Sequence, residues 1–294
     1  MTASARVIAQ AKVNLLLHVL AREASGYHSI ETVFLRLDWG DDVRVRVANG
    51  RTVDCTGPAM PATGLGPVEK NLAYRAGAAY SEATGWPAGF AIEIEKRIPV
   101  GGGLGGGSAD AGAVLRALDA MAPNPLGPRL VGLAAALGAD VPFLSMESPM
   151  ALAWGRGERL LPLHPLESRP LVVLVPEFSV GTAEAYGWLA SARGAYESEA
   201  RVIQLDMLAT WEAVAAVAAN DFERVVSARH PEVAELVDEL ASFDATVAMM
   251  SGSGSAVFGV FDALPDAAAI ARSTGHSPIL TRTADRVVRV AVEG

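Results

Sequence analysis

Apolar and polar residues alternate along Phe90–Ile98, with Ala-Ile-Glu-Ile-Glu at the centre. A period of two predicts a strand, and here one face, including the Glu93–Lys96 segment, is expected to be wet. Arg44 and Arg46 interleave with valines over Val43–Val47 in the same way. That strand and an apolar one at Ile30–Leu37 are expected to flank a turn at Gly40-Asp41-Asp42. Arg6–Leu20 reads as a longer strand interrupted by Lys12, Asn14 and His18, with a turn at Gly26-Tyr27-His28. Helices are predicted over Leu72–Thr84, with Asn71 as N-cap, and over Ser108–Met121, with Asp110 in the first turn and Pro123-Asn124-Pro125 ending it. A third covers Leu130–Leu137 and is closed by Gly138. Met150–Trp154 and Glu158–Leu163 form a hairpin pattern around Gly155-Arg156-Gly157.

His164–Pro170 reads as a linker, dividing the chain into residues 1–165 and 166–294. Beyond it, Leu171–Val175 is a buried strand, and Thr182–Ala192, Met207–Ala219 and Pro231–Phe243 read as helices. Thr246–Met250 and Ala256–Phe261 are strands around the loop Ser251-Gly252-Ser253-Gly254-Ser255, and Leu264–Ser273 and Val287–Val292 close as helix and strand. Strands and helices mix without regular βαβ alternation, which predicts an α+β class.

Composition narrows the function classes. The chain of 294 residues is 51% apolar and 19% charged, enough to bury a sizeable core. Its net charge of −9, without a basic cluster, argues against a nucleic-acid surface. No long apolar span and no signal-like segment stands out, so neither a membrane role nor export is expected. The single Cys55 excludes an internal disulfide and suits a reducing cytoplasm. The five histidines share no metal-ligand spacing, so no zinc site is expected.

Chemistry concentrates where the Phe90–Ile98 strand meets the Ser108–Met121 helix. Pro99, Val100, Gly101, Gly102, Gly103, Leu104, Gly105, Gly106, Gly107, Ser108 and Ala109 place six glycines within seven residues. Glycines leading into a helix bare unpaired N–H groups at its positive end, an arrangement that binds phosphate. Gly101, Gly103 and Gly106 satisfy G-x-G-x-x-G, but Asp119 comes too early for the acidic partner of a dinucleotide fold and sits on the predicted helix. No lysine follows the glycines, which excludes a Walker loop. A flexible linker would carry more Ser, Pro or charge than this run does.

The run Pro99–Ala111 resembles the ATP motif of the kinase superfamily named for galactokinase, homoserine kinase, mevalonate kinase and phosphomevalonate kinase. The doubled glycine triplet is similar to the branch that phosphorylates a cytidyl diphosphate substrate in isoprenoid precursor synthesis. Ala11-Lys12-Val13-Asn14-Leu15, Gly26-Tyr27-His28, Gly138-Ala139-Asp140-Val141-Pro142-Phe143 and Met250–Ser255 support the same branch, in its order and spacing across nearly the whole chain. The resemblance implies a two-domain fold, with an ATP-binding first domain like ribosomal protein S5 domain 2 and a ferredoxin-like second domain. The substrate cleft would lie between them. It implies ATP and Mg²⁺ as cofactors and the cytidyl diphosphate as small-molecule substrate, leaving the oligomeric state open.

Roles follow residue by residue. Asp140, at an expected loop–strand junction, is by itself either a turn aspartate or a base for a hydroxyl; the resemblance makes it the catalytic aspartate. Lys12, otherwise a strand-edge lysine, is implied to sit beside Asp140, keep it ionised and orient the hydroxyl. Asn14 points to the same side of its strand and is implied to contact substrate. Tyr27 and His28 would line the cytidine pocket, with Tyr186 as a second aromatic sandwiching the base and Thr182 nearby; Tyr186 as a packing residue is the alternative. Asn71 is both an N-cap and, by resemblance, a neighbour of the ATP base. Sister kinases hold Mg²⁺ with a serine where Gly106 and Gly107 stand here, so the metal ligand is not carried over. Ser108 and the ATP phosphates with water remain the alternatives.

Overall fold

Two long antiparallel strands, β1 (Ser4–Arg22) and β2 (His28–Val47), carry the first half of the molecule. The computed structural model describes residues 3–22, 28–193 and 203–293. The ladder runs from Ser4 opposite Arg46 to Arg22 opposite His28. No turn interrupts β2 at Gly40-Asp41-Asp42, contrary to the sequence expectation. Gly40 instead stands opposite Gln10, and a Cβ there would lie 2.0 Å from the Ala9 carbonyl oxygen. The glycine therefore serves a close approach of two backbones, not a reversal.

The length of β2 gives it neighbours at both ends. Its Asp42–Val47 stretch pairs with β4 (Phe90–Glu95), which carries the parallel edge strand β3 (Arg51–Thr56). Its Ile30–Leu35 stretch pairs with β5 (Met150–Gly155), which turns back into β6 (Arg159–Pro162) as the hairpin pattern predicts. Strand β3 escapes sequence reading because only Val53 and Cys55 are half-buried in it. The helix α1 (Leu72–Thr84) starts at Asn71, whose side-chain oxygen accepts from the Ala73 N–H at 2.9 Å. Helix α2 (Gly106–Met121) packs across β1 and β2 with an unbroken buried run from Ala109 to Leu118. The short α3 (Leu130–Ala135) and α4 (Val141–Ser145) follow.

Residues 163–169 form no regular element. A second sheet, antiparallel throughout, then orders β7 (Pro170–Leu174), β9 (Val247–Met250), β10 (Val257–Val260) and β11 (Ile279–Arg282) as β11-β7-β10-β9. Helix α5 (Thr182–Arg193) precedes α6 (Trp211–Val217). The single helix expected over Met207–Ala219 is broken: residues 205–208 form a 3-10 turn, and Thr210 caps α6 by accepting from the Ala213 N–H. A threonine hydroxyl competes with helical bonding in mid-helix and favours the N-cap. Next come β8 (Ala219–Asn220), α7 (Glu223–Ser227) and α8 (Glu232–Ser242). Helix α8 buries Val233, Leu236 and Leu240, the helical period, against β9 and β10. After α9 (Ala267–Thr274), the chain ends in β12 (Ala291–Glu293). Strands β8 and β12 both pair with β1, so the second half of the sequence completes the first sheet. Among the described residues no helix is long and apolar enough to cross a membrane.

Candidate active site

Three backbone hydrogen bonds and one hydroxyl shape the glycine run. The Lys12 N–H donates to Leu104 O at 3.0 Å, and the Ala256 N–H donates to Gly102 O at 3.1 Å. Ser251 Oγ donates to Gly103 O at 3.0 Å, and the Ala109 N–H closes the first turn of α2 on Gly105 O at 2.8 Å. Gly103 has φ +78°, and a Cβ on it would lie 2.1 Å from Ser251 O, so no side chain fits between the two loops. Leu104 is buried and pins the loop from below. The first N–H groups of a helix have no acceptor within it. In α2 they belong to Gly106, Gly107 and Ser108, at the positive end of the helix, and these residues line a cleft of about 460 Å³.

The same cleft is walled by Lys12, Asn14, Asn71, Asp140, Thr182 and Tyr186, as well as by Pro99–Ser108. Residues 128 positions apart thus meet: Lys12 Nζ lies 3.5 Å from Asp140 Oδ2 and donates to Asn14 Oδ1 at 2.7 Å. Asn14 Nδ2 donates in turn to Thr32 Oγ1, which donates to Leu16 O, so the whole row is buried and hydrogen-bonded. Asp140 occupies the N-cap of α4, where a loop–strand junction was expected. Its carboxylate makes no capping bond and is 28% exposed, free to meet a hydroxyl in the cleft.

His28 stacks on Tyr186, with ring centroids 4.5 Å apart, and Phe222 meets Tyr186 edge-on at 4.9 Å. Burial, then the charge of Asp140, pushes the Tyr186 hydroxyl up to about 12. Thr182 Oγ1 lies 3.2 Å from Ser253 Oγ, joining α5 to the Ser251–Ser255 loop. Tyr27 lies outside the described residues. Ala109 and His28 are not part of the cleft wall. Asn71 lines the cleft while still capping α1, so its two sequence readings are compatible.

Sequence reasoning misses a buried charge cluster behind the loop. Lys96 is 2% exposed, not part of a wet face, and its ammonium contacts both Asp41 and Asp110. Asp41 also accepts from the N–H groups of Arg97 and Ile98 at 2.5 and 2.8 Å. One oxygen of Asp110 is left without a hydrogen-bond partner. Burial, opposed by Lys96 and reinforced by Asp41, pushes Asp110 up to about 7. Burial lowers the Lys96 pKa, but the two carboxylates outweigh it and hold it above the ordinary value. The two directions agree physically: one ammonium cannot neutralise two carboxylates, and the excess falls on Asp110, which has fewer donors.

Family models place this geometry. Residues 71–148 match the N-terminal domain of the GHMP kinases, and residues 206–275 match their C-terminal domain. A 4-diphosphocytidyl-2-C-methyl-D-erythritol kinase from Salinibacter ruber is 36% identical over 86% of this chain and 89% of its own. The protein of that name from Pelotomaculum thermopropionicum is 38% identical over 94% and 96%. The chain belongs to this kinase family. A crystal structure of 4-(cytidine 5'-diphospho)-2C-methyl-D-erythritol kinase superposes with a TM-score of 0.76 at 35% identity, covering 95% of this chain and 98% of that one. A homoserine kinase from Cytophaga hutchinsonii shares the fold, with a TM-score of 0.66 at 17% identity over 99% and 97%. The expected α+β, two-domain GHMP kinase fold is therefore the observed one. As a kinase of this family, the enzyme uses ATP on a small-molecule substrate.

Proposed function

We propose that this enzyme transfers the γ-phosphoryl group of ATP to the 2-hydroxyl of 4-diphosphocytidyl-2-C-methyl-D-erythritol, in the non-mevalonate route to isoprenoid precursors. The observation that carries the chemistry is the Lys12–Asp140 pair, 3.5 Å apart, in one cleft with the N-terminus of α2. The hydroxyl oxygen attacks the γ-phosphorus as its proton passes to Asp140. The bond from that phosphorus to the β,γ-bridging oxygen breaks, and ADP leaves. Lys12 and Asn14 hold the hydroxyl and the carboxylate in line, which matters because phosphoryl transfer is mostly positioning and charge stabilisation. The N–H groups of Gly106, Gly107 and Ser108 take the phosphates, Asn71 borders the adenine, and Tyr27, Thr182 and Tyr186 take the cytidyl group, with His28 backing the Tyr186 ring by stacking instead of lining the cleft. Residues 1–165 then supply the ATP loop and both reacting side chains, and residues 166–294 close the cytidyl side.

Mg²⁺ belongs to this reading as the counter-ion of the nucleotide. Such an ion keeps several of its waters and is held largely by substrate phosphates. The Ser108 hydroxyl, half-buried in the cleft wall, is the side-chain oxygen on the loop that would meet it. Bound there, Mg²⁺ would neutralise charge on the transferred group. The protein is read as a cytoplasmic enzyme that engages neither nucleic acid nor membrane.

The test is an ADP-release assay with Mg-ATP against a panel of this substrate, mevalonate and homoserine. Turnover with the cytidyl compound, giving its 2-phosphate and inhibited by CDP, is expected; a folded protein inactive on it overturns the reading. Tyr27→Ala is expected to raise KM for the cytidyl substrate and spare ATP, and an equal effect on both removes the stacking role.

A further inference from the structure

Arg36 is the largest of the fully buried side chains, 1% exposed, and the proposed chemistry does not use it. It stands directly opposite Lys12 in the β1–β2 ladder, so two cations share one row of the sheet. Among the described residues Arg36 forms no salt bridge with a carboxylate. Its donors go to main-chain carbonyls: Nη2 to Phe143 O at 2.8 Å and Met146 O at 3.0 Å, and Nε to Ser148 O at 3.3 Å. These oxygens lie in the last turn of α4 and the segment leaving it, at the negative end of the helix, and the Phe143 carbonyl also accepts from the Met146 N–H at 3.3 Å. The main chain of Arg36 is fixed as well, its N–H donating to Pro149 O at 2.8 Å and its carbonyl accepting from the Ala284 N–H at 2.9 Å.

Stacking extends the same link toward the reacting residues. The guanidinium lies 5.0 Å from the centre of the Phe143 ring, which stacks on Phe34 at 5.0 Å and 16°. Lys12 Nζ lies 5.6 Å from the centre of that Phe34 ring. Helix α4 is only five residues long, and a single turn has little stability of its own. It is held at one end by Lys12 on Asp140 and at the other by Arg36 on its terminal carbonyls. Burying a guanidinium without a carboxylate is costly, and burial, with the charge of Arg116, pulls its pKa down to about 9 while Glu147 opposes. A methionine or leucine would fill that space at lower cost, so what the arginine adds is a fixed fork of donors.

We infer that Arg36 is a positioning residue for Asp140: it fixes the depth and angle of α4, and thereby the distance from the Asp140 carboxylate to Lys12 and the acceptor hydroxyl. This rests on the reading of Asp140 as the proton acceptor. Misplacement by about 1 Å costs on the order of 10²-fold in rate when the reacting groups must be aligned. Arg36→Met is therefore expected to lower kcat by roughly 10- to 100-fold while KM for ATP and for the cytidyl substrate each stay within about threefold. Arg36→Lys, which keeps the charge but not the fork, is expected to recover part of the loss.

A double-substitution cycle separates positioning from simple loss of folded enzyme, with active protein counted by ATP-binding stoichiometry. In an Asp140→Asn background, Arg36→Met is expected to change kcat by less than about twofold, because the group it positions is gone. An unchanged kcat in Arg36→Met overturns the inference. So does a loss that multiplies in full in the Asp140→Asn background, or one confined to KM. If Arg36→Met does not fold, Arg36→Lys and Phe143→Leu carry the same cycle and are judged by the same outcomes. A near-normal rate in Asp140→Asn alone sinks the catalytic reading and this inference together, whereas an impaired Asp140→Asn with multiplying losses sinks only this inference.

Discussion

Lys96 sits between two carboxylates with room for one ion pair, and Asp110 carries the surplus. Its pKa of about 7 lies above the ordinary carboxylate value of 3.8, so the folded protein binds a proton there that the unfolded chain does not. That preference stabilises the fold fully below pH 3.8 and is lost as pH rises toward 7. Asp110→Asn supplies a permanently neutral group of the same shape. Its Tm is expected to exceed that of the native protein by more at pH 8 than at pH 5. Thermal melts at both values decide this, and an equal Tm difference at the two pH values contradicts it. Asp140 is a different case, 28% exposed and facing the cleft. Asp140→Asn is expected to lower kcat by roughly 10²–10⁴ with Tm nearly unchanged, measured by steady-state ADP release and a thermal melt. A rate within a few-fold of normal removes Asp140 from the chemistry. The Lys12–Asp140 pair is legible in sequence because each residue stands inside a short motif. Asp41, Lys96, Asp110 and Arg36 are not: Lys96 reads as part of a wet strand face, Asp41 as a turn residue, Asp110 as an aspartate in the first turn of a helix, and Arg36 stands in no motif. Only the fold shows that Lys96 and Arg36 are at most 2% exposed.

At the scale of elements, local signals hold at the α1 cap and the β5–β6 turn, and fail at Thr210, whose cap splits the helix expected over Met207–Ala219. Helix α1 begins at Asn71 as its sequence predicts, and the β5–β6 hairpin turns at Gly155 and Gly157, both with positive φ. Expectation fails where a distant strand decides. Gly40 looks like a turn residue until β1 passes over it, and β3 has too few buried residues to announce itself. The glycine loop combines both situations, and two of its glycines are expected to respond differently. A Cβ on Gly103 collides with Ser251 O at 2.1 Å, whereas one on Gly107 meets only Leu72 Cδ1 at 3.8 Å. Gly103→Ala is expected to lower Tm and weaken ATP binding by roughly tenfold or more, since loop and partner must separate. Gly107→Ala is expected to leave Tm unchanged and to weaken ATP binding less than Gly103→Ala does, because its added methyl meets only an ordinary contact with Leu72. Calorimetric titration with ATP beside thermal melts checks both. A Gly103→Ala protein with normal Tm and affinity shows that the two loops are not coupled.

For the whole molecule, the two sheets are tied at the site itself. The carbonyls of Gly102 and Gly103, in the first half of the sequence, are held by Ala256 N–H and Ser251 Oγ from the second. Asn220, buried on β8, donates to Met250 O and Gly252 O, both at 2.8 Å, while its own strand pairs with β1. Strand β12 returns to the edge of β1, and Arg116 of α2 donates to Val288 O at 2.7 Å on the way. Neither half therefore has its polar groups satisfied without the other, and unpaired buried groups are costly. One cooperative unfolding transition is expected, with a calorimetric enthalpy equal to the van't Hoff enthalpy, although the described residues form two sheets. ATP, bound to the glycine loop, should move that whole transition upward by about 2.7 kcal/mol of added stability at a hundredfold excess over Kd. Two resolved transitions, of which ATP moves only one, would show instead that the halves fold independently and that the contacts through Asn220 and the glycine carbonyls form only after each is built. Asn220→Ala sharpens the comparison. It removes three hydrogen bonds, including the one that Asn220 Oδ1 accepts from the Phe222 N–H; two of the three reach Gly252 and Phe222 of the cleft wall. It is expected to lower the single Tm or to split the transition in two. A native melt in that variant means that the halves are coupled through β12 and the glycine loop alone.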